Sequence, residues 1–170
     1  MALFEDYEGK RKELLAKIQS FEDFEKADPN VHDILEIARR ILTHPKDNFN
    51  ADLLIGKGSK LAGYYGYLLT RGNEAWAEYK VAEVAFKSVR DALMIALKVD
   101  RATVTEAKAS ATRDTGILEV DVIAKEKRSK DYEAVAKWCE RMLSWVQSVL
   151  SQMRNERGHS RVSEEGKPRQ

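Results

Sequence analysis

A chain of 170 residues with three prolines and nine glycines is one domain of ordinary size, without the frequent turn signals of a sandwich or barrel. Hydrophobic residues make up 43 % and charged ones 34 %, so there is a core to bury beneath a heavily charged surface. With 29 Lys+Arg against 28 Asp+Glu the net charge is +1, which excludes holding nucleic acid or membrane by global charge and leaves only local patches.

The first stretch, Leu3 to Lys26, carries Leu14, Leu15, Ile18, Phe21 and Phe24 at helical spacing. Its opening, MALFEDYEGKRKELL, has no apolar h-region, and no apolar run reaches the ~20 residues of a membrane span; the expected location is the cytoplasm. Asp28-Pro29-Asn30 breaks the chain, with Asn30 as the expected N-cap of a second helix bearing Val31, Ile34, Leu35, Ala38, Ile41 and Leu42. His44-Pro45 ends that helix, because the residue before proline is pushed out of the helical region, and His44 is expected to cap it. Residues 1–45 are thus read as a helical pair, followed by a polar link.

No proline falls between Lys46 and Lys167, and this stretch is rich in helix formers. Leu61, Tyr65, Leu68, Gly72, Ala75, Tyr79, Ala82, Phe86, Val89, Leu93 and Ala96 alternate in steps of four and three, an a/d register of about five heptads. Gly63, Gly66 and Gly72-Asn73 weaken the first half of this helix and leave room for a kink at Arg71–Asn73. Thr103-Val104-Thr105-Glu106 is a capping box that opens a short helix reaching about Arg113, punctuated by Thr115-Gly116. From Ile117 a second long helix follows, with Val120, Ala124, Val135, Trp138, Met142, Trp145, Val149 and Met153 along one stripe and an all-polar block at 125–131. After Arg157 the sequence is polar and unpatterned. The expected architecture is all-α: two N-terminal helices (1–45), a long helical hairpin with coiled-coil-like packing (46–157), and a disordered tail (158–170). An arm from Ser59 to Lys98 would be roughly 60 Å long at 1.5 Å per residue, and such arms bury spare apolar surface against copies of themselves. An oligomer larger than a dimer is expected, with Trp138, Met142, Trp145 and Val149 near the subunit contact.

Residue chemistry points away from catalysis. His32, His44 and His159 share no ligand spacing, and a single cysteine, Cys139, excludes an intramolecular disulfide and a cysteine-based zinc site. Gly56-Lys57-Gly58-Ser59-Lys60 lacks the full P-loop spacing and a preceding strand, and reads as the entry to a helix. Neither a nucleophile–base set nor a metal or cofactor motif is present, so the chain is expected not to be an enzyme and to need no cofactor. The informative feature is local charge. Lys57, Lys60, Arg71, Lys80, Lys87 and Arg90 lie along the first arm, interleaved with Tyr64, Tyr65, Tyr67 and Trp76, a mixture that suits phosphates plus stacked bases. Lys125, Lys127, Arg128 and Lys130 cluster on the second arm with Glu126 and Asp131.

The region Val104 to Arg154 resembles the C-terminal part of bacteriophage UvsY-type recombination mediators, through Ile117-Leu118-Glu119-Val120-Asp121, the helix around Cys139, and Val149-Leu150-Ser151-Gln152-Met153-Arg154. Lys60 to Leu97 resembles the basic helix of that family in pattern. The resemblance implies a homo-oligomer that binds single-stranded DNA and helps load a RecA-like recombinase onto DNA coated with single-strand-binding protein. It implies phosphate contacts from Lys57, Lys60, Arg71, Lys80, Lys87 and Arg90, with Trp76 or Tyr67 stacking a base. The competing expectation is a helical structural or interaction protein, phage or bacterial, whose charges only solubilise it.

Overall fold

The computed structural model describes residues 2–43, 51–99 and 103–165. These form six helices: α1 (Ala2–Gln19), α2 (Glu22–Ala27), α3 (Pro29–Leu42), α4 (Ala51–Val99), α5 (Val104–Asp114) and α6 (Gly116–Glu165), with no strand among the described residues. The class is all-α, as the proline distribution indicates.

Local chemistry sets most boundaries. The chain turns after α1 through short backbone bonds, Ser20 N–H to the Lys17 carbonyl and Phe21 N–H to that of Ile18, both 3.0 Å, so the expected N-terminal pair is three helices. The N-cap of α3 is Asp28, not Asn30: its carboxylate accepts from the Asn30 amide at 2.9 Å, and Pro29 takes the first helical position, where its missing N–H costs nothing. Thr103 and Glu106 form the expected reciprocal capping box of α5. Thr115 closes α5 with its buried hydroxyl donating to the Ala111 carbonyl at 2.7 Å.

Two expectations are corrected. Helix α4 is uninterrupted through Arg71–Asn73; Gly72 faces Tyr132, whose Cβ would lie 3.6 Å from an added methyl, an ordinary contact distance. A glycine within a helix costs about 1 kcal/mol, too little to break one this long. Helix α6 likewise continues to Glu165, past Gly158 where a disordered tail is expected; Gly158 is followed by no proline before Pro168. Residues 166–170, and His44 with Pro45, lie outside the described residues.

Packing divides the chain elsewhere than at residue 45. One unit comprises Met1–Tyr67 with Val135–Gln170, the other Leu68–Ala134. In the first, α1–α3 contribute Leu14, Ile18, Phe21, Val31, Ile34, Leu35, Ala38, Ile41 and Leu42 to a core shared with Leu54 and Leu61 of α4 and the Val135–Val149 stripe of α6. Both tryptophans of that stripe donate their indole N–H to α1: Trp138 to the Leu14 carbonyl at 3.1 Å, Trp145 to that of Tyr7 at 3.3 Å. Phe21 meets Trp138 edge-on, centroids 5.9 Å apart. Glu25 clamps α2 to α3 by accepting two 2.6 Å bonds from Arg39.

This core displaces the expected subunit contact. Trp138, Met142, Trp145 and Val149 are each 9 % exposed or less within one protomer, because the N-terminal helices cover the stripe that periodicity alone leaves spare. In the second unit burial falls away. Along the a/d register, Leu68 and Ala75 are buried, Tyr79, Ala82, Phe86 and Leu93 are half-buried, and Val89 and Ala96 are exposed. Tyr132 is the one buried large side chain of α6 in that unit.

Met142→Ala is expected to cost about 2–5 kcal/mol, as for any fully buried methionine, and the destabilisation should not depend on protein concentration. Val81→Ala should cost under about 0.5 kcal/mol. Urea denaturation at two protein concentrations checks both; a concentration-dependent effect of Met142→Ala would return this residue to a subunit contact.

Candidate nucleic-acid interface

In the second unit, Trp76, Lys80, Glu83, Lys87 and Arg90 follow one another on α4 in steps of four, three, four and three, so they share one face of the helix. Three cations stand on this face with one carboxylate between them. Lys80 Nζ lies 4.8 Å from the Tyr79 ring centroid and 6.0 Å from that of Trp76, which is 56 % exposed. Arg90 stacks on Phe86 at 5.5 Å. Lys80 and Arg90 are therefore held beside aromatic surfaces, the pairing used for backbone tracking with base stacking.

Glu83 restrains this face. Lys80 and Lys87 both reach it at 2.9 Å, and the two lysine hydrogen bonds, Lys87 first, hold its carboxyl well down, at about 2 against the usual 4.5. Lys80 is correspondingly pushed up, mainly by its bond to Glu83. Arg90 has Asp91 within 3.6 Å. These bridges are solvent-exposed, and exposed pairs contribute little, so an incoming phosphate can take over either lysine.

The other proposed phosphate ligands differ. Arg71 is held back against the hairpin: bonds to Tyr132 and to Glu74, the latter at 2.5 Å, raise its pKa, and it is only half-exposed. Its guanidinium is engaged by these two partners while its side chain stays partly open to solvent. Lys57 and Lys60 belong to the first unit, on the same helix; Lys57 is half-buried, Lys60 exposed. Lys60 lies with Tyr64 and Tyr67 along a groove between α3 and α4. On α6, Lys125 and Lys130 are paired at 2.6 Å with Asp121 and Glu126, and Arg128 reaches Glu78 of α4 at 3.7 Å. The expected basic cluster of the second arm is thus largely self-neutralised.

Among the described residues no group of His, Cys, Asp or Glu could hold a metal ion. Cys139 is buried, and burial alone pushes its thiol up to about 12, so at neutral pH it is a protonated, packed side chain bonding weakly to the Leu61 carbonyl at 3.8 Å. No helix among them is long and apolar enough to cross a membrane.

One surface is not evident from the a/d register. Val81, Val84 and Ile95 of α4 and Ile117, Val120 and Ile123 of α6 are 57–88 % exposed. Their signal is nevertheless present in the sequence: Ala77, Val81, Val84, Ser88 and Ile95 form a second stripe beside that register, so α4 is apolar on two sides. No protein-family model matches the chain, and no curated protein or solved structure matches it.

Because Glu83 is depressed in the folded protein, its contribution to stability is fully present above its usual value near 4.5 and is lost as the pH falls toward about 2. Glu83→Gln should flatten the acid limb of a melting-temperature profile across that window. The same change should tighten oligonucleotide binding at low salt, by releasing Lys80 and Lys87; fluorescence anisotropy reads this, and unchanged affinity would show that the carboxylate does not compete.

Proposed function

We propose that this chain is a single-stranded DNA-binding recombination mediator, acting in the cytoplasm as a homo-oligomer and helping to load a RecA-like recombinase onto DNA coated with single-strand-binding protein. The observation that carries the DNA-binding part is the single face of α4 on which Trp76, Lys80, Lys87 and Arg90 gather cations and aromatic rings. Recombinase loading is the expectation of the resemblance of Val104 to Arg154, and in pattern of Lys60 to Leu97, to the UvsY-type mediators.

A near-neutral protomer suits this reading when binding is multivalent. One copy offers a few phosphate contacts, each salt-sensitive, and several linked copies multiply them through effective concentration. The exposed apolar residues Val81, Val84, Ile95, Ile117, Val120 and Ile123 are the natural place for one copy to meet another, since such patches mark interaction sites. The reading assigns no cofactor and no catalysis.

That same apolar face favours one alternative: a helical interaction protein of phage or bacterial origin that binds no nucleic acid and uses the second unit to hold a protein partner.

The two readings separate on Lys80→Ala/Lys87→Ala. If α4 tracks a phosphate backbone, the double variant weakens single-strand binding and flattens the dependence of log affinity on log salt by about 0.7 for each phosphate that is no longer neutralised. Base preference stays unchanged, since phosphate contacts position rather than specify. An unchanged slope in the folded variant would move the DNA off this face, and a parent that binds no strand at all would leave the interaction-protein reading standing. For assembly, Val84→Glu/Ile123→Glu should convert the oligomer to a smaller species in sedimentation without lowering the melting temperature of the first unit; a parent that sediments as a monomer at micromolar concentration would refute the oligomer.

A further inference from the structure

The groove between α3 and α4 in the first unit is built from two facing stripes: Lys60, Tyr64 and Tyr67 on α4, and Asn30, Asp33 and Arg40 on α3. Both phenols are tied at their hydroxyl ends. Tyr67 accepts a bond from the Asn30 side-chain amide at 3.0 Å and donates to Asp28 at 3.3 Å; Tyr64 donates to Asp33 at 3.4 Å. Two half-buried rings are therefore held in place before any ligand arrives, so the ordering cost of a stacking surface is already met by the fold.

Charge in the groove is balanced. Lys60 and Arg40 stand against Asp33 and Glu36, and Glu36 accepts from Arg40 at 3.0 Å. Such a groove selects neither an anion nor a cation. It suits an uncharged planar heterocycle that stacks on tyrosine and hydrogen-bonds at its edge, where the exposed Asn30 amide offers a carbonyl and a second N–H. The groove is open beside Gly63, where nothing lies within 4 Å of the point at which a side chain would begin. Exposed Lys60 sits one turn from Tyr64, where the phosphate beside a stacked base would fall.

We propose that this groove is a base-binding subsite: one nucleobase of a single strand stacks on Tyr64 and Tyr67, with its edge at Asn30 and its flanking phosphate at Lys60. The proposal rests on the single-strand-binding reading above and adds to it a second place for a base, in the first unit, where Tyr64 joins Tyr67 and a polar edge at Asn30 faces the stacked ring.

The test compares a thymidine oligonucleotide with an abasic deoxyribose-phosphate strand of equal length, by anisotropy at one fixed salt concentration. The parent protein should prefer the base-bearing strand by roughly 5- to 150-fold per stacked base. Tyr64→Leu should remove most of that preference while leaving the salt slope intact, a signature opposite to that of the α4 lysines. Photo-crosslinking of the unaltered protein with a 5-iodouracil oligonucleotide, mapped by mass spectrometry, needs no variant and should label Tyr64 or Tyr67. Equal binding of both strands, or crosslinks confined to residues outside the groove, would overturn the subsite while leaving strand binding in place. Failure of the parent to bind either strand would overturn the DNA-binding reading and the subsite together.

Discussion

Everything in the first unit depends on the cover that α1–α3 provide for the apolar stripe of α6. Trp138 and Trp145 are large, and each brings an indole N–H that must find an acceptor when buried. Both find a backbone carbonyl on α1, at Leu14 and Tyr7. The two bonds fix where α1 runs along α6, and Phe21, just past the end of α1, meets the edge of Trp138. With α1 placed, the Glu25–Arg39 clamp ties α2 to α3. The capped start of α3 lies beside α4, where Asp28 accepts from Tyr67. Burial of this kind contributes about 1.5–3 kcal/mol per large apolar side chain, and the first unit has many of them.

The second unit lacks that cover. Among its described residues the buried ones are few and mostly small: Leu68, Ala75, Ala107, Ala111, Thr115 and Tyr132. Ion pairs do not replace the missing burial, because exposed pairs are each worth little. Its apolar side chains instead face outward in two arms, which is costly for a solitary molecule and useful for one that meets a partner.

Much of this is legible in the residues. The capping box at Thr103–Glu106 and the punctuation at Thr115-Gly116 place α5 and the start of α6 close to their true bounds, whereas α4 begins at Ala51, ahead of the expected Ser59, because Gly56 and Gly58 lie inside the helix and do not mark its entry. Asn30 looks like a cap because Pro29 hides the start of α3: proline occupies the first helical position, so the cap lies one residue earlier, at Asp28. The tryptophan stripe is plain in the sequence, but its destination is not. Periodicity shows that a face is apolar; it does not say whether another part of the same chain or another molecule covers it. For the candidate interface, spacing identifies the lysines of α4 yet cannot show that Glu83 bridges two of them or that Arg71 turns back to Tyr132. The groove at Asn30 and Tyr67 joins residues 37 positions apart, beyond the reach of local pattern.

The two faces of α4 stand in a relation that bears on the proposed mechanism. Lys80 and Val81 are adjacent, as are Glu83 and Val84, and adjacent helical residues point about 100° apart. The basic face and the apolar face therefore share a border without overlapping. Whatever docks on Val81 and Val84 therefore leaves Lys80, Lys87 and Arg90 at the rim of its footprint, so the two faces can be occupied at once and tested by separate substitutions.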